Sequence, residues 1–409
     1  MSEVVIVSAC RTAIGAFGGA LRDMHAATIA SVPMKAAVER AGICPSTIDD
    51  VRFGCCLDPT DALNVTRISA LMAGIPESVP AVTINRVCIS AMEAVLSGTA
   101  MIKAGLANVI LAGGVEHMSG APYTLERARW GVRMGDDAMT DAMIKALHCG
   151  SHLLPYPQDG PVESFRGKPY IMGHTAEFVA LKLGITRQEQ DEVALRSHNN
   201  VERATHDGSF ADEIVPVAVP QRKGEPKIFD KDEHFRPGLT MEALAKLAPA
   251  FIPKTGTVTA GNSSGINDGA AAVVIMSEER AKSEGLTPLA RIKAVGMGAC
   301  NPTLMGLSPV SSVSNLLSRS GMTLKDFELI EVNEAFAAQY LGCERELGLN
   351  RDITNVNGSG IGLGHPVGCT GARIMISLIY AMRKRNKSLG LATLCGGGGV
   401  SMACALEIV

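Results

Sequence analysis

The strongest constraint on this chain is a repeat within itself. AVERAGICPSTIDDVRFG at 37–54 and LLSRSGMTLKDFELIEVN at 316–333 share one pattern: a helix end, a glycine, a polar turn and an apolar strand. A glycine cluster follows later in each half, Gly113–Gly114 in the first and Gly396–Gly399 in the second. Self-similarity on this scale marks one supersecondary unit used twice. Two such units packed together place Cys88 and His365 at equivalent loop positions, facing one cleft.

Strands and helices alternate through both halves, which argues for α/β architecture. Strands are expected at 3–9, 81–87, 108–114 and 327–333, and helices at 27–42, 90–105, 313–321 and 368–385. Gly42 reads as the C-cap of its helix. Between the halves, 121–250 is richer in charge, Pro and His, with helices at 173–184 and 186–208. It reads as a region inserted over the first half and suited to substrate binding. The expected division is residues 1–120 with 251–275 as the N-terminal half, 121–250 as the inserted loop domain, and 276–409 as the C-terminal half.

At 409 residues the chain is long enough to bury large cores. A net charge of −3 and 4% aromatic residues argue against nucleic-acid binding. No apolar run approaches the roughly 18–20 residues of a membrane span. The opening MSEVVIVSACR enters a strand without a charged leader, and there are eleven cysteines. The expectation is a cytoplasmic protein with reduced thiols.

Four groups stand out from the elements that carry them. Cys88 lies between a strand and a helix, where the helix dipole favours thiolate and Arg86 adds to it if it points the same way; the alternative is an inert buried cysteine. His365 sits in NGSGIGLGHPVG, a loop that lets backbone approach a ligand, or else makes a structural hydrogen bond. Asn333, with Glu334, opens NEAFAA, either as an oxyanion donor or as a helix N-cap. Cys395 precedes Gly396–Gly399, whose bare N–H groups suit a developing negative charge; the alternative is a glycine hairpin with a passive thiol. GNSSG at 261–265 matches G-x-S-x-G, but the turn and strand expected after it disfavour a serine-hydrolase elbow. HCGSH at 148–152 lacks a fourth ligand and zinc spacing, so no metal is expected.

The set suits thiol-based acyl transfer, and it resembles the thiolase family. VIVSACRTAIGAFGG, TINRVCISA, AGGVEHMS, GTVTAGNSSGINDGAAA, NEAFA, NGSGIGLGHPVGCTGAR and CGGGG are thiolase landmarks in the expected order, spanning nearly the whole chain. NEAF points to the acetyl-CoA acetyltransferase and 3-ketoacyl-CoA thiolase branch. The resemblance implies a five-layered αβαβα sandwich of two similar halves with an inserted loop domain. It implies Cys88 as nucleophile, His365 as its base, Asn333 holding a water in one oxyanion hole, and Cys395 as acid/base at the α-carbon. The N–H groups of Cys88 and Gly397 would form the second oxyanion hole. Arg236, Phe251 and Ser264 would bind CoA, while Met172 and Met305 would line the acyl pocket. Acetyl-CoA and acyl-CoA would be substrates, with no permanent cofactor and a homodimer or homotetramer as the assembly. Ile89-Ser90-Ala91 stands where the family usually has Gly-Ser-Gly, and Ile89 is expected to reshape the acyl pocket. Phe178 replaces a usual Asn, and Ile171 stands where short-chain enzymes often carry His. These departures leave a longer, branched or unusual acyl chain as the alternative. A non-catalytic acyl-CoA-binding protein working with a partner is the rival of another class.

Overall fold

The computed structural model describes residues 3–409. Its main strands are β1 (Val4–Thr12), β2 (Asp50–Gly54), β3 (Ala81–Ile84), β4 (Val109–His117), β5 (Asn267–Ser277), β6 (Ala290–Ala299), β7 (Leu329–Val332), β8 (Leu389–Gly396) and β9 (Val400–Ile408). The helices that matter here are α1 (Ala26–Ala41), α2 (Ser90–Lys103), α3 (Met172–Leu183), α4 (Arg187–His206), α5 (Ser308–Ser320), α6 (Ala337–Leu347) and α7 (Val367–Lys384). Gly42 closes α1 in the left-handed region with φ 69°, the conformation for which its sequence position calls.

The strands run in the order β7-β8-β9-β6-β1-β5-β4-β2-β3. Within the sheet the halves join where Val5 and Ile6 of β1 pair with Arg291 and Ala290 of β6. In each half the outer strands pair in parallel and the inner ones antiparallel. That is the expected duplication.

Period-two alternation then sorts the side chains into layers. Val5 and Val7 of β1 point into a core with α1, whereas Val4 and Ile6 point into a core built from α2 and α7. The same α2–α7 core receives Ala392, Leu394, Met402 and Cys404 from the second half. Leu391, Ala403 and Ala405, on the opposite face, pack with Val313 and Leu316 of α5 and with α6. The result is helix, sheet, paired central helices, sheet, helix: the five-layered αβαβα sandwich. Strands covered on both faces read as continuous apolar runs, and β1 is buried throughout.

The central helices bring the two halves to one point. A Cβ on Gly371 of α7 would lie 2.4 Å from the Met92 nitrogen of α2, so only glycine permits this approach. Their first turns are therefore in contact, and Cys88 and His365 each lie two residues upstream of those turns. The region between the halves does not sit on the first half alone. Its helix α3 packs on α6, and α4 packs on α6 and on the turn at Gly360–Leu363. Buried Arg11 of β1 ties it to the first half through Glu213 at 2.6 Å and Asp232 at 2.7 Å.

Candidate active site

The chain reaches Cys88 through a strained residue. Val87 has φ 52°, a costly conformation for a β-branched side chain that persists only where the surroundings impose it. Its carbonyl accepts from the Ser90 hydroxyl at 2.5 Å and the Cys56 thiol at 3.0 Å. This turn sets the half-buried Cys88 at the entrance of α2. Arg86 does not assist it, because its guanidinium pairs with Glu93, one turn into the helix, at 3.0 Å. Nor is the thiol acidic. Burial pushes it up to about 12, with the nearby Cys149 thiol and Glu116 carboxylate adding to the rise. The backbone N–H groups of Gly397 and of Cys88 itself lie near the sulfur and oppose that rise. Burial thus outweighs the helix dipole at this thiol, and the groups that favour its thiolate are backbone N–H groups.

The glycine run has two separate causes. Gly398 and Gly399 adopt φ 78° and 82°, which L side chains rarely take. Gly397 is excluded from carrying a side chain by crowding: a Cβ there would lie 2.2 Å from Cys149 Sγ and 3.0 Å from Val87 Cγ1. Cys149 comes from the middle region, and no sequence signal placed it here.

His365 is buried and neutral, its imidazole pushed down to about 3 by burial and by the Arg373 charge. Its backbone N–H donates to Asn267 Oδ1 at 2.9 Å. Thr370 Oγ1 lies 2.7 Å from Nδ1 and spends its own hydrogen on the Pro366 carbonyl at 2.9 Å. The network therefore assigns the proton to Nδ1. Nε2 is buried without a hydrogen-bond partner and keeps its lone pair. Asn333 lies in the same pocket, its amide nitrogen 3.4 Å from Nδ1 and its Oδ1 3.4 Å from the Arg373 guanidinium. No helix begins at Asn333, because α6 starts at Ala337 after Phe336, so the N-cap reading falls away. Glu334 accepts from Asn355 at 2.8 Å and from Ser197.

Cys395 is buried with Met172, Met305 and Ala335, and Cys149 and Phe336 pack on this cluster. Desolvation raises its thiol far above the ordinary range, and a thiolate at Cys88 would raise it further. Phe251 meets Phe336 edge-on with ring centroids 6.1 Å apart. Ser264 donates its N–H to the Ala335 carbonyl at 2.9 Å. Arg236 stands apart from the sulfurs, exposed beside His198 and His234. Ile89 is buried in the α2–α7 core, its Cγ2 3.4 Å from where a Cβ on Gly396 would lie. Ser263 of GNSSG donates to the Thr259 carbonyl at 2.7 Å, and strand β5 follows, so no nucleophile elbow forms. His148 and His152 stack with centroids 4.1 Å apart, and His148 Nδ1 lies 3.1 Å from the Tyr170 carbonyl. Thr370, Arg373 and Cys149 were missed at the sequence level. Only Thr370 left a trace, as a hydroxyl five residues after the histidine.

A duplicated αβαβα sandwich that delivers a cysteine and a histidine to the entrances of its central helices defines an acyltransferase class working through cysteine. The comparisons narrow this further. The family described as "Thiolase, N-terminal domain" matches residues 4–279, and "Thiolase, C-terminal domain" matches 286–408. The chain belongs to the thiolase family. It is 46% identical over 407 residues to the acetyl-CoA acetyltransferase of Cupriavidus necator, covering 100% of both chains. The crystal structure of the Bacillus anthracis acetyl-CoA acetyltransferase superposes with a TM-score of 0.93 at 44% identity, covering 100% of this chain and 99% of that one. The human mitochondrial 3-ketoacyl-CoA thiolase in complex with CoA gives a TM-score of 0.92 at 39% identity, covering 100% and 98%.

Proposed function

We propose that this thiolase condenses acetyl-CoA with an acyl-CoA, and in reverse cleaves a 3-oxoacyl-CoA with CoA. Cys88 is the acyl carrier. The observation that carries the reading is the meeting of the α2 and α7 entrances, which brings the Cys88 sulfur beside the backbone N–H groups of Gly397 and of Cys88 itself. Donors fixed at that point also meet the oxygen of a thioester attacked by that sulfur, and each is worth roughly 3–4 kcal/mol to the transition state.

The proton inventory follows from the environment of each group. A thiol at about 12 does not ionise beside an imidazole at about 3 in the empty pocket. His365 Nε2 therefore takes the proton as sulfur attacks the carbonyl, when charge moves to the oxyanion donors. Asn333 holds a water that serves the second oxyanion site. As the acyl group passes to Cys88, Cys395 gives its proton to the departing CoA sulfur, and its thiolate then removes the α-proton of the second acetyl group. His365 returns its proton to the Cys88 sulfur released by the condensation, and thiolysis runs these transfers in reverse. CoA lies along the 121–250 region, with Arg236 at the rim and Phe251 and Ser264 nearer the sulfurs. Met172 and Met305 wall the acyl group.

The identities of the relatives favour acetyl as the acyl group. A second reading is a longer 3-oxoacyl chain, for which a cavity of about 680 Å³ lined by Tyr156, Asp159, Phe178, Lys182, Asn301 and Leu304 offers room, although none of the reacting groups lines it. Leu304 is the chain neighbour of Met305. The protein also assembles with copies of itself in the cytoplasm on this reading. Support for assembly comes from the edge strand β3 and from Leu63, exposed by 84%, and Met72, exposed by 51%, nearby in sequence. No helix among the described residues is long and apolar enough to cross a membrane.

The test is thiolysis of a 3-oxoacyl-CoA series by the wild type and Cys88→Ala. The variant is expected to lose about 10⁴-fold in kcat. Retained turnover would overturn the assignment, and the series would set the chain length.

A further inference from the structure

Glu116 lies under the catalytic loops of both halves, and none of the chemistry above uses it. It ends β4, is fully buried, and makes no ion pair among the described residues. Backbone N–H groups take the place of a cation. Its Oε1 accepts from Leu57 at 3.0 Å. Its Oε2 accepts from Cys56 at 3.0 Å and from Gly368 at 2.8 Å. One carboxylate oxygen thus joins a loop of the first half to the first turn of α7 in the second half. That end of a helix presents free N–H groups and positive potential, which suit an anion.

Each partner leads to a reacting group by one further step. Cys56 holds the Val87 carbonyl through its thiol at 3.0 Å, and Val87 is the strained residue that turns the chain into Cys88. Gly368 begins the helical turn that carries Thr370, whose hydroxyl fixes His365 Nδ1 at 2.7 Å. The space around this joint admits nothing larger. A Cβ on Gly368 would lie 2.7 Å from Glu116 Oε2, and one on Gly114 would lie 2.1 Å from the Gly368 carbonyl.

We propose that Glu116 is a positioning residue that sets the nucleophile loop against the histidine loop across the junction of the two halves. Apolar residues of α2, α7 and both sets of strands pack the central core. What the carboxylate adds is a fixed spacing between Cys88 and His365. A displacement of about 1 Å between reacting groups costs on the order of 10²-fold in rate.

This inference rests on the roles of Cys88 and His365 given above. Activity in Cys88→Ala would sink those roles, whereas the variants below leave both side chains in place. Glu116→Gln also removes a charge that raises the Cys88 thiol, and Cys56→Ala, which keeps that charge, tests the spacing alone. Glu116→Gln keeps the shape but replaces one acceptor oxygen with an NH₂ group. It is expected to lower kcat for thiolysis about 10²-fold with KM within threefold. Cys56→Ala cuts the link on the solvent side of the joint and is expected to lower kcat about tenfold, again with KM held. Met34→Ala, in the α1 core, serves as a destabilised control with kcat unchanged. If Glu116→Gln does not fold, Cys56→Ala decides alone. The proposal is overturned if Cys56→Ala and every folded Glu116→Gln preparation keep kcat within twofold. It is equally overturned if Met34→Ala loses as much kcat at the same melting temperature.

Discussion

Replacing Gly397 by Ala tests the oxyanion site at a single atom. The backbone of Gly397 is outside the left-handed region, so the residue tolerates a side chain conformationally. What excludes it is contact: the added Cβ would lie 2.2 Å from Cys149 Sγ and 3.0 Å from Val87 Cγ1. Non-bonded heavy atoms settle at about 3.5–4.0 Å, so the sulfur and the glycine loop must separate by roughly 1.5 Å. Strain of this kind costs about 1–3 kcal/mol of stability. The larger effect falls on catalysis, because the displaced group is the N–H proposed to serve the oxyanion site beside Cys88. Loss of one such donor costs about 10²–10³ in kcat. Steady-state thiolysis should therefore show kcat down about 10²-fold in Gly397→Ala, with KM little changed. Cys149→Ala removes the sulfur from the clash, and the double variant should regain about tenfold, a coupling expected of side chains in contact. Gly397→Ala with kcat within twofold of wild type would refute the donor role. A double variant no faster than the single would refute the assignment of the clash to Cys149.

Alkylation of Cys88 by iodoacetamide in the free enzyme should be slow at pH 7 and climb about tenfold per pH unit up to pH 10, because only thiolate reacts and burial raises the thiol to about 12; a plateau near pH 7 would contradict this. Thr370→Val removes the acceptor that keeps the proton on His365 Nδ1 and should lower kcat about 10²-fold with KM unchanged; an unchanged kcat would show that the tautomer is fixed by other means. Ile89→Ala should destabilise the protein by about 2–4 kcal/mol in denaturant melts while leaving acyl-chain preference unaltered, since the side chain lies in the central core; a shifted preference with unchanged stability would place Ile89 in the acyl pocket instead.

The sequence revealed what local chemistry or repetition imposes. Gly42 ends its helix because left-handed backbone favours glycine, and that rule is local. The repeat placed Cys88 and His365 at equivalent loops, and the contact of Gly371 with Met92 is the packing that realises it. The spacing of apolar residues marked both central helices. What stayed hidden depends on contacts between distant segments. Arg86 reads as a neighbour of the thiol until Glu93 claims it one turn later. The acidity expected of Cys88 from the helix dipole is outweighed by desolvation and by Cys149 and Glu116, neither of them adjacent in sequence. Asn333 carries the signature of an N-cap, but buried partners at Arg373 and His365 hold it, and the helix starts later. The middle region was read as lying over the first half because it follows that half in sequence. Its apolar face instead fits α6 of the second.

The most direct test of the account is to incubate the protein with acetyl-CoA alone, quench it in acid, and map the adduct by peptide mass spectrometry. A single acetyl group on the peptide bearing Cys88, absent from Cys88→Ala and formed more slowly in Gly397→Ala, is the expected result. An acetyl group on Cys395 or Cys149 instead, or none on a protein that still turns over, would contradict it.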